Sequence, residues 1–303
     1  MKRWTKNDNL NAGVVAPKIA AVLAVFNKPR ELGMCLEGYR RQSFLIDHHQ
    51  EFQLILADDG SEPAIEEIFS KFADQVSFPA AYIRREHSGW GKQRMLNWAV
   101  LECQAERVIF TDGDCVPQRH FLRCHAESSD ENMVNCGRRV DVMEDLAREL
   151  TLDDIRGGNL ESLPWILKNI LKGRVEYGGQ GIFLPKALAG FPHYFSKHSR
   201  PTLVGSNFSV HKKKLLELNG FDETFERPGY GEDTDMERRM RLLGLNIEWI
   251  TYRAIQFHLW HPLTRVGEEA KRTYESLKAK GNKAALKGIR EFLPEFEKIK
   301  SST

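Results

Sequence analysis

The chain opens polar and then alternates between strands patterned for burial and amphipathic helices. Lys18 to Phe26 (KIAAVLAVF) is continuously apolar, the pattern of a parallel strand covered on both faces. Leu32, Cys35, Leu36 and Tyr39 then recur at helix spacing. Phe52 to Ala57 (FQLILA) reads as a second buried strand, stopping at Asp58-Asp59-Gly60-Ser61. Ser61 suits an N-cap and Pro63 a first helical turn, after which Ile65, Ile68, Phe69 and Phe72 form one apolar stripe. Ala80 to Arg84 is a third strand. Gly91 to Cys103 is a helix with Leu96, Ala99, Val100 and Cys103 inward, and Arg107 to Thr111 is a fourth strand that runs into Asp112-Gly113-Asp114. This order predicts an α/β fold whose central sheet is mostly parallel, with right-handed crossovers. In open sheets of this kind ligands sit beyond the carboxyl ends of the strands. The acidic clusters at 58–59 and 112–114 are therefore expected to share one crevice.

From 141 to 200 the pattern breaks into short helical stretches, paired glycines, prolines and an aromatic cluster at Phe191, Tyr194 and Phe195, read as an irregular insertion over the crevice. Sheet character resumes over Thr202 to Val210. Helices follow at Lys212 to Leu218 and Glu232 to Leu243, each stopped by a glycine, then a late strand at Ile247 to Tyr252. Glu268 to Lys300 reads as a charged helical tail. The expected division is a polar N-terminal segment (1–17), two functional halves (18–140 and 201–265) around the insertion (141–200), and the tail (266–303).

Composition narrows the class. With 44 Lys+Arg against 42 Asp+Glu in 303 residues, the net charge of +2 excludes a dedicated nucleic-acid binder. Hydrophobic residues at 41% suit a globular core rather than a disordered chain. No apolar run reaches the roughly 20 residues of a membrane span, and Met1 to Asn11 lacks the apolar stretch of a signal peptide. Five cysteines without a CxxC pair suggest free thiols in a reducing compartment. A cytoplasmic enzyme is the expectation. Lys212-Lys213-Lys214 and the Lys-rich tail from Lys271 to Lys300 are the surfaces expected to touch an anionic membrane, with a solvated charged face the plainer reading.

Three features carry chemistry. Asp112-x-Asp114 at a strand end can serve a sugar hydroxyl with one carboxylate and a divalent cation with the other, although an Asp-Gly turn alone gives the same letters. Gly231-Glu232-Asp233-Thr234-Asp235 sets carboxylates at a helix N-terminus behind a glycine-rich loop, where the helix dipole favours the ionised form. His258-Leu259-Trp260-His261-Pro262 follows a strand, and Pro262 prevents the i, i+4 helical pair of a zinc protease. Gly89-Trp90-Gly91-Lys92-Gln93-Arg94 lacks the third glycine of a dinucleotide fingerprint and reads instead as a loop offering Lys92 and Arg94 to a phosphate. Cys115, beside the acidic pair, reads as a packing residue.

Taken in order, AVFNKP (24–29), ADDGS (57–61), GKQRMLNWA (91–99), TDGD (111–114), GSNFSVHKKKLLELNGFDE (205–223), GEDTDMERRMRLLG (231–244) and FHLWHP (257–262) resemble the family-2-like glycosyltransferases of GT-A fold. The C-terminal third also resembles the galactosyltransferase-type module of chondroitin-polymerase-like enzymes. The resemblance implies a Rossmann-like sheet flanked by helices, a nucleotide-sugar donor and a glycan or lipid-linked glycan acceptor. It matches Asp59 to the acid that holds the donor base, with Phe26 and Asn27 lining that pocket, Asp112 to the ribose contact and Asp114 to the direct metal ligand. Asp233 matches the catalytic base and Glu232 its neighbour on the acceptor side, where Trp90, Asn207 and Tyr230 are also expected. A late histidine completes the metal shell, His258 by first choice and His261 as the alternative. An imidazole in the shell favours Mn²⁺ over Mg²⁺. The function implied is inverting transfer of a hexose or N-acetylhexosamine, with UDP the expected carrier and GDP or dTDP open. The competing readings are a nucleotidyltransferase, which lacks its usual glycine-rich loop here, a metal-dependent nucleotide-sugar hydrolase and a dead sugar-binding module.

Overall fold

The computed structural model describes residues 1–7, 16–190, 200–227, 229, 231–262 and 268–301. Twelve strands are found among them: β1 (Lys2–Lys6), β2 (Ile19–Val25), β3 (Phe52–Asp58), β4 (Ala80–Arg84), β5 (Arg107–Asp112), β6 (Cys115–Pro117), β7 (Met133–Cys136), β8 (Arg138–Val142), β9 (Val175–Glu176), β10 (Phe208–His211), β11 (Asn246–Trp249) and β12 (Ile255–Leu259). Eight form the main sheet in the order β1-β4-β3-β2-β5-β10-β7-β11, and four form a second sheet in the order β6-β12-β8-β9. The central strands β4, β3, β2 and β5 are parallel. Strands β1 and β10 run antiparallel to their neighbours.

The apolar run of β2 explains its central place. Ala20 and Val22 face one core, with Trp98, Phe110 and Phe208, while Ile19, Ala21, Leu23 and Val25 face another, with Leu32, Tyr39 and Phe69. A strand buried on both faces has no polar position to spare, and of its seven residues all but Ala24 are buried. Parallel pairing of β3, β2 and β5 then brings three carboxyl ends side by side. Asp59 N–H bonds to Val25 O and Gly113 N–H to Ala24 O, which ties the acidic turns to the end of β2.

Several expectations change. The polar N-terminus forms edge strand β1, with Trp4 stacked on Tyr82 at 5.4 Å between ring centroids. Ser61 does not cap the Pro63–Ala73 helix, whose N-cap is Glu62. Its hydroxyl instead donates to Asp58 and accepts from the Asn27 amide. The C-terminal segment is two helices, Glu268–Lys280 and Ile289–Ser301, and the second sets Ile289, Phe292 and Phe296 into the main core. Lys212 donates to the Cys103 carbonyl, while Lys213 pairs with Glu131 and Lys214 with Glu217, so this run is already engaged within the fold. No helix among the described residues is long and apolar enough to cross a membrane. The aromatic cluster at 191–195 lies outside the described residues.

Arg94 is drawn into this tail. It pairs with Glu223 at 3.1 Å and Glu295 at 3.4 Å, and its guanidinium lies 5.4 Å from the Phe292 ring centre. It therefore braces the Ile289–Ser301 helix rather than serving a donor phosphate. Arg94→Ala is expected to destabilise the fold by about 1 kcal/mol through the lost ion pairs and cation–π contact. Denaturant titration measures the loss, and nucleotide binding should be unchanged.

Candidate active site

The ends of β2, β3 and β5 line a cavity of about 350 Å³ that includes Phe26, Asn27, Asp59, Trp90, Lys92, Asp112, Asp114 and His261. The crevice expected from the strand order is thus formed. Asp58 and Asp59 divide their work. Asp58 is fully buried, accepts hydrogen bonds from Ser61 and from the Tyr82 hydroxyl, and has Arg84 as an ion-pair partner at 3.6 Å, which makes it a turn anchor. Asp59 faces the cavity, gripped by the Arg85 guanidinium and by Gly91 N–H at 2.9 Å. Phe26 is 44% exposed at the mouth, and its ring stacks on His87 at 4.6 Å. Arg85 and His87 were not singled out from the sequence, although both follow a strand's carboxyl end.

Lys92 reaches across to Asp112 Oδ1 at 2.6 Å. Burial works against its charge, but the carboxylates of Asp112 and Asp233 outweigh that and hold the ammonium well above its ordinary pKa. Lys92 therefore couples Asp112 electrostatically to the start of the Glu232–Leu242 helix. There Asp233 Oδ2 accepts from Gly205 N–H at 2.8 Å, while Glu232 turns to Gly229 N–H and leaves its other oxygen buried without a partner. Burial, reinforced by Glu232, pushes the Asp233 carboxyl up to about 6 against the opposing pull of Lys92 and the Gly205 amide. The helix dipole expected to keep this acid ionised does not dominate. A pKa near 6 still leaves a carboxylate at neutral pH, now basic enough for proton transfer.

The metal question turns on three side chains. Ligand atoms of Asp114, His258 and His261 all lie within 4.8 Å of one another. His258 Nδ1 is 3.0 Å from Asp141 Oδ1, and His261 Nδ1 is 3.0 Å from the Pro262 carbonyl. Carboxylate and carbonyl oxygens only accept, so each neutral ring carries its proton on Nδ1 and presents an Nε2 lone pair. The two Nε2 atoms are 3.2 Å apart, and Asp114 oxygens lie 3.8 and 3.4 Å from them. Facing lone pairs at that distance repel unless a cation lies between them. Neighbouring ligands on an octahedral ion with bonds of about 2.2 Å are about 3.1 Å apart, so the set fits a Mn²⁺-like ion. Both His258 and His261 stand within reach of such an ion, so the geometry does not choose between them. Asp141, which orients His258 and is itself held by Arg139 at 2.9 Å, was not legible as a site residue. Cys115 also neighbours Asp114 and Asp112, and burial pushes its thiol pKa up.

Two expected acceptor residues need revision. Asn207 is fully buried. Its amide donates to the Arg138 and Ala254 carbonyls at 2.7 and 2.9 Å and its oxygen accepts from His125, so it clamps the two sheets together and offers nothing to a ligand. Tyr230 lies outside the described residues. Trp90 does reach the cavity, and its indole N–H is buried without a partner.

A parallel-centred α/β sheet with acidic strand ends and an Asp-His-His cluster beside them defines a glycosyltransferase of GT-A fold. The chain belongs to glycosyl transferase family 2, which matches residues 20–186, and residues 186–262 match the N-terminal domain of galactosyltransferase. Chondroitin synthase of Escherichia coli is 24% identical over 318 residues, covering 100% of this chain. The chain spans only 43% of that relative's length. Solved structures share the fold, among them two with nucleotide bound. GalNAc-T7 with UDP, GalNAc and Mn²⁺ has a TM-score of 0.58 at 11% identity, covering 87% of this chain and 48% of its own. S. aureus TarS 1–349 in complex with UDP has a TM-score of 0.55 at 15% identity, covering 87% and 65%.

Proposed function

We propose that this chain is an inverting, metal-dependent glycosyltransferase that moves a hexose or N-acetylhexosamine from a UDP-sugar to a hydroxyl of a glycan or lipid-linked glycan. The observation that carries the reading is the placing of Asp59, Asp112 and Asp114 at one sheet edge, with Asp233 coupled to them through Lys92. The UDP complex of TarS and the UDP–Mn²⁺ complex of GalNAc-T7 support the carrier, and the likeness to chondroitin synthase supports a glycan acceptor. Residues 18–140 would form the donor half and 201–265 the acceptor and catalytic half, with 141–200 on the acceptor side, flanked by 1–17 and 266–303. Five buried, unpaired cysteines support a reducing, cytoplasmic setting.

Asp59 and Phe26 hold the base, Asn27 fixes the wall beside them, and Asp112 takes the ribose. Asp114, His258 and His261 would hold a divalent ion, which when bound neutralises the diphosphate leaving group. Asp233 removes the acceptor hydroxyl's proton as that oxygen bonds to the anomeric carbon. The bond from the anomeric carbon to the diphosphate oxygen breaks with its electrons on the nucleotide, and one displacement inverts the centre. Glu232 and Trp90, each with a buried polar atom lacking a partner, flank the sugar and the acceptor.

Thermal melts with UDP-, GDP- and dTDP-sugars, with and without Mn²⁺, test the proposal. A ligand at 100 times its Kd adds about 2.7 kcal/mol, a rise of several degrees in Tm. UDP-sugars are expected to give that rise only with Mn²⁺. A rise with GDP-sugars alone would reassign the carrier, and donor hydrolysis as fast without acceptor as with it would make the chain a hydrolase.

A further inference from the structure

Lys28 stands where a metal's charge belongs. Its Nζ donates to Asp114 Oδ2 at 2.8 Å, and that same oxygen lies 3.4 Å from His261 Nε2. The ammonium thus shares the face that Asp114 turns toward the two imidazoles. The backbone is bent to put it there. Asn27 and Lys28 are consecutive left-handed residues with φ of 57° and 60°, a conformation unfavourable for side chains other than glycine. The bend is braced from the β3 side, where Asn27 N–H donates to Ser61 Oγ and Asn27 Oδ1 accepts from Glu62 N–H at 3.0 Å. Asp114 is only 7% exposed. A buried carboxylate without a counter-charge is costly, and Lys28 supplies one.

The lysine is also open to solvent on one side. Its side chain is 35% exposed, and it lines both the donor cavity and a neighbouring hollow shared with Trp260 and His261. We propose that Lys28 is a placeholder cation that neutralises Asp114 in the metal-free protein and swings to the nucleotide's diphosphate when a divalent ion takes its place. This rests on the metal-dependent reading above. Its consequence is coupled binding. A divalent ion alone must displace an ammonium with nowhere better to go, whereas with nucleotide present the ammonium gains a phosphate as a point-charge partner. Each ligand then tightens the other by the same factor.

Mn²⁺ binding followed by electron paramagnetic resonance, with and without UDP, tests this on the full chain. Lys28→Met keeps the stem and removes the charge. It is expected to bind Mn²⁺ alone roughly five- to tenfold more tightly than the parent, the loss of one partly exposed ion pair. It is also expected to bind UDP with Mn²⁺ roughly tenfold more weakly, so the mutual tightening by metal and nucleotide shrinks. Lys28→Arg keeps the charge and should retain most of the coupling, and melting curves of both variants show that each is folded. A merely structural lysine would weaken both affinities together, and that result would overturn the placeholder. If Mn²⁺ binds the parent and Asp114→Asn abolishes it, while Lys28→Met leaves metal-alone affinity unchanged, only the placeholder fails. If the parent binds no Mn²⁺ even with UDP, the metal reading fails and takes this proposal with it.

Discussion

Asp233→Asn is expected to lower turnover by about 10²–10⁴-fold while leaving donor affinity nearly unchanged. The substitution keeps size and hydrogen bonding, including the bond from Gly205 N–H, and removes only basicity. In the proposed reading the donor is held by Asp59 and Asp112 at the other strand ends, so its binding has no reason to fall. The wild type should lose kcat/KM as pH drops through about 6, where its base becomes protonated, and the variant's residual rate should lose that inflection. Stability should respond with the opposite preference. A carboxyl whose folded pKa is raised from 3.8 to about 6 gives stability that is fully present below the unfolded value and lost as pH rises through 6. At pH 8 the folded protein holds a charge that burial disfavours, and Asp233→Asn should therefore melt no lower than the parent, and somewhat higher. A variant that is inactive and also markedly less stable at pH 8 would point to misfolding in place of a lost base. Gly205→Ala offers a second route, because a Cβ there would clash with the Asp233 carboxylate and force it aside with its chemistry intact. Near-normal turnover in Asp233→Asn together with loss in Glu232→Gln would transfer the role to Glu232.

The parallel part of the main sheet was legible because its determinants are local. Strands β2, β3 and β5 announce themselves as apolar runs, and their acidic residues fall at the ends, where the topology of a parallel sheet fixes the direction of exit. Edge strand β1 escaped because it needs to bury little, and only Trp4 and its neighbours mark it. The second sheet escaped because its strands are two to five residues long and pair across great separations. Asp141 and His258 are direct partners in the β8–β12 register, yet 117 residues divide them, and no periodicity carries that information. Arg94 illustrates a different failure. It sits two residues after Lys92 in the Lys92–Glu102 helix, and positions two apart on a helix face nearly opposite ways. Once Lys92 points to Asp112, Arg94 must point elsewhere. Asn207 was a matter of burial, which a polar letter in a motif does not reveal.

The same register supplies a graded test of the metal cluster. Asp114→Ala removes the cluster's single carboxylate and leaves two imidazoles whose lone pairs face each other at 3.2 Å. Mn²⁺ affinity is expected to fall by more than about 100-fold, since losing a ligand should exceed the 10–100-fold typical of losing a residue that only orients one. Turnover at a fixed, moderate Mn²⁺ concentration is expected to fall by about 10³-fold or more, because the diphosphate's charge then goes uncompensated as it leaves. Asp141→Asn should behave differently. It keeps a hydrogen-bonding group beside His258 Nδ1 but weakens the ring's basicity and orientation, so affinity should drop 10–100-fold and excess Mn²⁺ should restore the rate. Titrating Mn²⁺ against rate in both variants separates the cases: a shifted curve that regains its plateau for Asp141→Asn, and a lost plateau for Asp114→Ala. Full activity of the parent in excess chelator would remove the metal from the mechanism. Lys28 and Lys92, already seated on Asp114 and Asp112, would then be the cations left to meet the departing diphosphate.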